Sequence, residues 1–164
     1  MTSPTDRITR NVLLRAPLER VWRAISDARE FGSWFGAELD GAFVPGARLP
    51  ARVVPTTADP AIAKTQEPYA GMKFVLFVER VEPMRLLSFR WHPGTVAEKD
   101  FDTEPTTLVE FELEAVADQT MLTITESGFD AIPLDRRAAA FASNAEGWTH
   151  QLSLIARYLA VPAA

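Results

Sequence analysis

Apolar residues recur at Ile8, Val12 and Leu14 with polar residues mostly between them, which predicts a strand over Ile8–Leu14. The spacing then changes. Leu18, Val21, Trp22 and Ile25 follow the i, i+3, i+4, i+7 rule, and Pro17 stands at a first helical position, where its missing N–H costs nothing. Ser26 or Asp27 can cap a second short helix running through Trp34 and Phe35. Glycines and prolines then break the pattern through residues 36–72. Two short strands are expected there, near Ala37–Phe43 and Ala47–Val54, and Pro55–Gly71 reads as a long mobile loop.

Strand patterns return in close succession. Met72–Glu82 is apolar and β-rich. In Arg85–His92, Leu87, Phe89 and Trp91 share one face, and Ser88, Arg90 and His92 the other. Pro93–Pro105 is a polar loop. Thr106–Glu114 alternates Val109, Phe111 and Leu113 against Glu110, Glu112 and Glu114, and Thr120–Ser127 returns after a turn at Ala117-Asp118-Gln119. The glutamates read as a solvated face, and the stretch as an exposed edge defended against pairing by its charges. The last pattern is helical over Leu134–Ala160, with an apolar stripe through Ala138, Phe141, Ala145, Trp148, Leu152, Ile155 and Leu159. Gly147 in its middle suggests a bulky neighbour or a close backbone approach.

The order strand, two short helices, about six strands and one long helix predicts a single α+β domain over residues 1–164. The long stripe needs an apolar partner, and the antiparallel sheet is the only large one. A curved sheet on a long helix leaves a gap between the layers, and a hollow lined by aromatics there suits a small molecule.

Composition narrows the classes. The 17 Lys and Arg against 22 Asp and Glu give a net charge of −5, which argues against nucleic-acid and anionic-membrane partners. With no cysteine and two histidines, thiolate chemistry is excluded and neither a metal site nor a cofactor is expected. No phosphate-cradling glycine loop and no nucleophile elbow is present. The polar start, Met-Thr-Ser-Pro-Thr-Asp, has no apolar signal core, so the expected address is cytoplasmic.

Pro17-Leu18-Glu19-Arg20-Val21-Trp22 resembles the P-x-E-x-V-W opening of the START-like, or SRPBCC, superfamily. Thr125-Glu126-Ser127-Gly128-Phe129, then Arg136-Arg137, then Asn144-Ala145-Glu146-Gly147-Trp148 resemble the bacterial family related to the activator of the heat-shock chaperone ATPase. The resemblance covers nearly the whole chain. It implies the helix-grip, birch-pollen-allergen-like fold: a curved seven-stranded antiparallel sheet around a long C-terminal helix, with two short helices, over a hydrophobic pocket. It also leaves a homodimer open.

Three functions follow from that resemblance and the patterns. The first is binding of a small hydrophobic or amphipathic ligand between sheet and helix. The second is an enzyme of the polyketide cyclase or dehydratase kind. The third is an interaction module like the chaperone activator, for which the acidic balance offers no basic docking patch. Pocket candidates are Trp34, Phe35, Phe74, Phe89, Trp91, Phe141, Asn144, Ala145, Trp148 and Leu152, with Trp34 and Phe35 at the mouth. The catalytic candidates are Glu126, His92 and Asn144. Glu126 shares strand parity with Leu122 and Ile124, so it points inward, either for proton transfer or as a partner of Arg136 or Arg137. His92 suits a general base by type, although its parity with Arg90 places it at the rim or in solvent. Asn144 lies at the edge of the apolar stripe, where a buried amide orients a ligand or holds a loop. His150 falls on the solvated side of the helix.

Overall fold

The computed structural model describes Ser3 and residues 5–160; Met1, Thr2 and Pro4 of the polar start, and residues 161–164, lie outside the described residues. Strand β1 (Arg7–Leu14) leads into helices α1 (Leu18–Ser26) and α2 (Ala28–Phe35), then β2 (Ala37–Leu39) and β3 (Arg48–Val53). A short helix α3 (Pro60–Gln66) precedes β4 (Lys73–Glu82), β5 (Leu86–Trp91), β6 (Thr107–Val116) and β7 (Gln119–Ser127). The long helix α4 (Leu134–Ala160) closes the order. The seven strands form one antiparallel sheet, β1-β7-β6-β5-β4-β3-β2. This is the helix-grip architecture.

The topology corrects one expectation. β6 pairs with β5 and β7 on its two sides, so it is an interior strand and its glutamates defend no edge. The edges are β1 and β2. A register shift between Val78 and Arg80 forms a bulge, where Ser88 Oγ accepts the Arg80 backbone N–H at 3.1 Å; such a bulge bends and twists the strand pair.

The two short helices form as their signals direct, one residue apart from the expected start. Pro17 is the cap of α1 and not its first turn. Asp27 caps α2 by accepting the Arg29 and Glu30 backbone N–H groups, both at 3.0 Å. Gly36 ends α2 in the left-handed region at φ 98°, which suits glycine. The two strands that follow are shorter than the sequence pattern suggested, at Ala37–Leu39 and Arg48–Val53.

The stretch 55–71 is structured. Asp59 caps α3 by accepting the Ala61 N–H at 2.9 Å, Pro60 occupies the first turn, and a 3₁₀ turn spans Glu67–Tyr69. No residue of α3 is buried, so the helix carries no apolar stripe for the pattern to show. It is tied down by Gln66, which accepts the Thr56 N–H at 2.8 Å and donates to the Phe35 carbonyl at 3.3 Å, and by Arg157 on Asp59 at 3.2 Å.

The core lies between the concave face of the sheet and the helices. Leu87, Phe89, Val109, Phe111, Leu122 and Ile124 face Val21, Ile25, Phe31, Trp34, Trp148 and Ile155, all buried. α1, α2 and α4 are joined at Glu30. Its carboxylate accepts Arg20 at 2.7 Å, Arg23 at 2.9 Å and the Tyr158 hydroxyl at 2.7 Å, while the Arg20 guanidinium lies 5.4 Å above the Tyr158 ring.

Burial pushes the Glu30 pKa up. Hydrogen bonds from Tyr158 and Arg20 and the charges of Arg20 and Arg23 outweigh it, so the group stays below its ordinary value. A depressed carboxyl pKa contributes stability that is present above the unfolded value and lost as pH falls through the folded one. Glu30→Gln is therefore expected to flatten the acid limb of a plot of melting temperature against pH below about pH 5. An acid limb identical to that of the parent chain would show the cluster to be energetically idle.

Candidate functional site

The seam between sheet and α4 is built around a buried carboxylate. Glu126 faces inward from β7 and is 0% exposed. Its oxygens accept the Trp91 indole N–H at 2.8 Å, the Thr107 hydroxyl at 2.6 Å, the Trp148 indole N–H at 2.8 Å and the Asn144 amide at 3.0 Å. Neither expected arginine is its partner. Arg136 pairs with Glu104 at 2.6 Å, and Arg137 donates to the Ile132 and Asp130 carbonyls at 3.0 and 2.8 Å. The carboxylate is held by neutral donors from β5, β6 and α4, and it fixes the two indoles in a stack with centroids 5.5 Å apart at 29°.

That stack fills the centre of the expected hollow. Trp148 also stands 5.9 Å from Phe111 and 6.3 Å from Phe35, so rings occupy the gap where helix crosses sheet. The remaining space opens to one side as a cleft of about 480 Å³. Phe35, Phe74, Trp91 and Phe101 supply its aromatic surface, and Gln66, His92, Asn144 and Gln151 its polar one. Exposed residues, among them Tyr69, Lys73, Thr95 and Ser143, form its rim. A recess of about 70 Å³ adjoins it, bounded by Phe35, Trp91, Asn144, Gly147, Trp148 and Gln151.

Of the ten pocket candidates, Phe35, Phe74, Trp91 and Asn144 line the cleft, and Trp148 lines the recess. The other five lie elsewhere. Trp34 is wholly buried and donates its indole N–H to the Ala24 carbonyl at 2.9 Å, which ties α2 to α1 and keeps it from the mouth. Phe89 and Leu152 are both buried in the core. Phe141 packs edge-on to Phe129 at 5.2 Å, and Ala145 is half-buried against the core.

The catalytic candidates separate as well. Asn144 and His92 line the cleft; Glu126 lies behind its wall. His92 is half-buried at the cleft, where its ring stacks on Phe101 at 5.7 Å and meets Phe77 at 6.1 Å. Burial pushes its pKa down, against the Glu104 and Phe101 backbone carbonyls and the charges of Glu104 and Asp102. His150 is exposed, 3.7 Å from Glu146.

Gln66, Phe101 and Gln151 went unread in the sequence. Gln151 had a signal, since Asn144, Gly147, Trp148 and Gln151 repeat the i, i+3, i+4, i+7 spacing of one helix face. Phe101 is a lone aromatic in a polar loop, which periodicity cannot place.

Gly147 is not squeezed. A Cβ there would meet nothing within 4 Å, so the expected bulky neighbour does not exist and the glycine borders the open recess. Gly147→Ala is expected to stabilise the chain by up to ~1 kcal/mol, raising the melting temperature by about 2–4 °C. A fall in melting temperature would mean that the helix needs glycine there for another reason.

A family model described as activator of Hsp90 ATPase homolog 1-like protein matches residues 15–160. The chain belongs to this family. No curated protein matches it significantly. Among solved structures, the chain is similar to DynU16, a protein of the dynemicin biosynthetic locus, at 28% identity and TM-score 0.68. That match covers 96% of this chain and 48% of the other, so the chain spans about half of that protein's length. A protein from Bordetella parapertussis is 25% identical at TM-score 0.66, over 100% of this chain and 87% of its own. The Aha1 dimer from Colwellia psychrerythraea shares the fold, at 17% identity and TM-score 0.67 over 96% and 98% of the two chains. Among the described residues of this family member, no helix is long and apolar enough to cross a membrane.

Proposed function

We propose that the chain binds a small hydrophobic or amphipathic molecule in the cleft between α4, the end of α2 and the segment 91–101. The observation that carries this reading is the aromatic surface of Phe35, Phe74, Trp91 and Phe101 around a space of about 480 Å³, within the range of small-molecule sites. Burial of apolar ligand surface there is worth ~25 cal/mol per Å², and the interspersed polar groups set orientation.

Proton-transfer chemistry is less well supported. The oxygens of Glu126 are engaged by four side chains, and the Asn144 amide is turned toward them. His92 alone would remain for the acid–base work that a cyclase or dehydratase divides among several groups.

A thermal-shift panel of fatty acids, flavonoids and steroids tests binding. A ligand at a hundred times its Kd is expected to add ~2.7 kcal/mol, a rise of several degrees. A panel without a single stabilising compound, together with unchanged tryptophan emission, would overturn the proposal.

A further inference from the structure

The wall of the cleft carries a charge that nothing bonded to it cancels. Glu126 is 0% exposed, and its partners Trp91, Thr107, Asn144 and Trp148 are all neutral. In a buried seam such a charge acts strongly on groups one side chain away. Asn144 stands between it and the cleft. Its Nδ2 donates to both carboxylate oxygens at 3.0 Å, which fixes the amide. Its Oδ1 accepts no hydrogen bond from the described residues and keeps accessible surface. Asn144 is half-buried and lines both the cleft and the recess, so this oxygen is an acceptor within reach of a bound molecule.

The rest of the cleft supplies no positive charge to oppose it. Lys73 is the one Lys or Arg among the described cleft residues; it sits at the rim, 69% exposed, and pairs with Glu98 at 3.2 Å. Burial pushes the His92 pKa down, so its ring is uncharged at neutral pH. Accessible ring surface comes from the half-buried Phe74 and Trp91 and from Tyr69 at the rim, and the face of such a ring attracts a cation. The cleft opens to one side, so an ammonium group there keeps part of its hydration.

We propose that the cleft prefers protonated amines carried on an aromatic or apolar body over neutral and anionic molecules of the same shape, with Asn144 meeting the ammonium group and Glu126 supplying the charge behind it. The inference rests on the binding reading above. The ammonium group donates to Asn144 Oδ1, and the carboxylate at the other end of that amide polarises it. The apolar body lies against Phe74 and Trp91. Contact with Glu126 itself is not required, since the attraction acts across one amide in a buried seam. A ligand carboxylate in the same place would set acceptor against acceptor at Asn144 Oδ1 and face a like charge behind it.

Calorimetric titration at neutral pH with 2-naphthylmethylamine, 2-naphthylmethanol and 2-naphthoate tests it, since the three share a ring system and carry a cation, a neutral donor and an anion. The amine is expected to bind about 10-fold more tightly than the alcohol, and the naphthoate at least about 10-fold more weakly than the alcohol. The preference for the amine should persist within about 2-fold when about 0.5 M sodium chloride is added, because a buried charge is screened far less than exposed carboxylates such as Glu98. Glu126→Gln, checked for folding by circular dichroism, is expected to bring amine and alcohol within about 2-fold of each other. Equal binding of amine and alcohol by the parent chain overturns the inference. So does a naphthoate that binds as well as the alcohol, a preference abolished by salt, or a folded Glu126→Gln chain that keeps the full preference. If that variant does not fold, the salt series on the parent chain decides. If none of the three binds while a compound of the thermal-shift panel does, the charge rule is wrong and the binding reading stands. If nothing binds in either experiment, both fall.

Discussion

Glu126→Ala is expected to lower the unfolding free energy by about 4 kcal/mol, and the melting temperature by roughly 8–16 °C for a chain of this size. The carboxylate is the shared acceptor for Trp91, Thr107, Asn144 and Trp148, so its loss leaves two indole N–H groups, an amide and a hydroxyl without an acceptor in a buried seam. Each orphaned donor costs about 1–3 kcal/mol on its own. The total falls short of the sum, because the four share one vacated site that water can enter through the adjoining recess.

Glu126→Gln separates the effects of shape and of hydrogen bonding. It preserves the volume and one acceptor oxygen, but it points an NH₂ group at donors, so about half the loss is expected. Near-ultraviolet circular dichroism should change with either variant, since Trp91 and Trp148 lose the group that fixes their stacking. A loss below about 1 kcal/mol for Glu126→Ala would show that the network is a passive arrangement of side chains satisfied elsewhere.

The same network shows how far the sequence could be read. The strand parity of Leu122, Ile124 and Glu126 places the carboxylate inward, because side chains alternate between the faces of a sheet, and the structure agrees. Its partners were not legible. Arginine is the usual counter-charge, and nothing local in the chain tells that indoles from β5 and α4 will converge on a β7 carboxylate. That convergence depends on how strands far apart in sequence pair, with Val109 beside Glu126 and Trp91 beside Thr107.

The long helix and the strands were legible for the opposite reason, since each buries a continuous stripe and so imprints a period on the sequence. α3 buries no residue and imprints none; its only trace is the pair Asp59-Pro60, a cap followed by a first-turn proline. The shape of the hollow was not legible at Trp148, whose ring takes up its centre and leaves the cleft to one side. A wall residue and a plug have the same pattern on a helix, and only the partner rings decide between them.

Trp148→Ala puts that distinction to a direct measurement. The side chain is 2% exposed and lies among Trp91, Phe111 and Phe35, so truncation is expected to cost about 3–5 kcal/mol. It should also join the recess of about 70 Å³ to the space that the indole vacates, extending the cleft beneath α4. If Trp148 is the plug of an otherwise hollow helix-grip interior, the alanine variant binds a bulky apolar probe such as pyrene at least about 10-fold more tightly than the parent, because the newly buried ligand surface adds ~25 cal/mol per Å². Trp148→Phe is the control. It keeps most of the ring and removes the N–H to Glu126, so it should lose about 1–2 kcal/mol without the gain in pyrene affinity. Stability loss without enhanced binding in the alanine variant would mean that the seam collapses onto the vacancy, and that the rings around Trp148 are an ordinary core with the cleft as a separate surface feature.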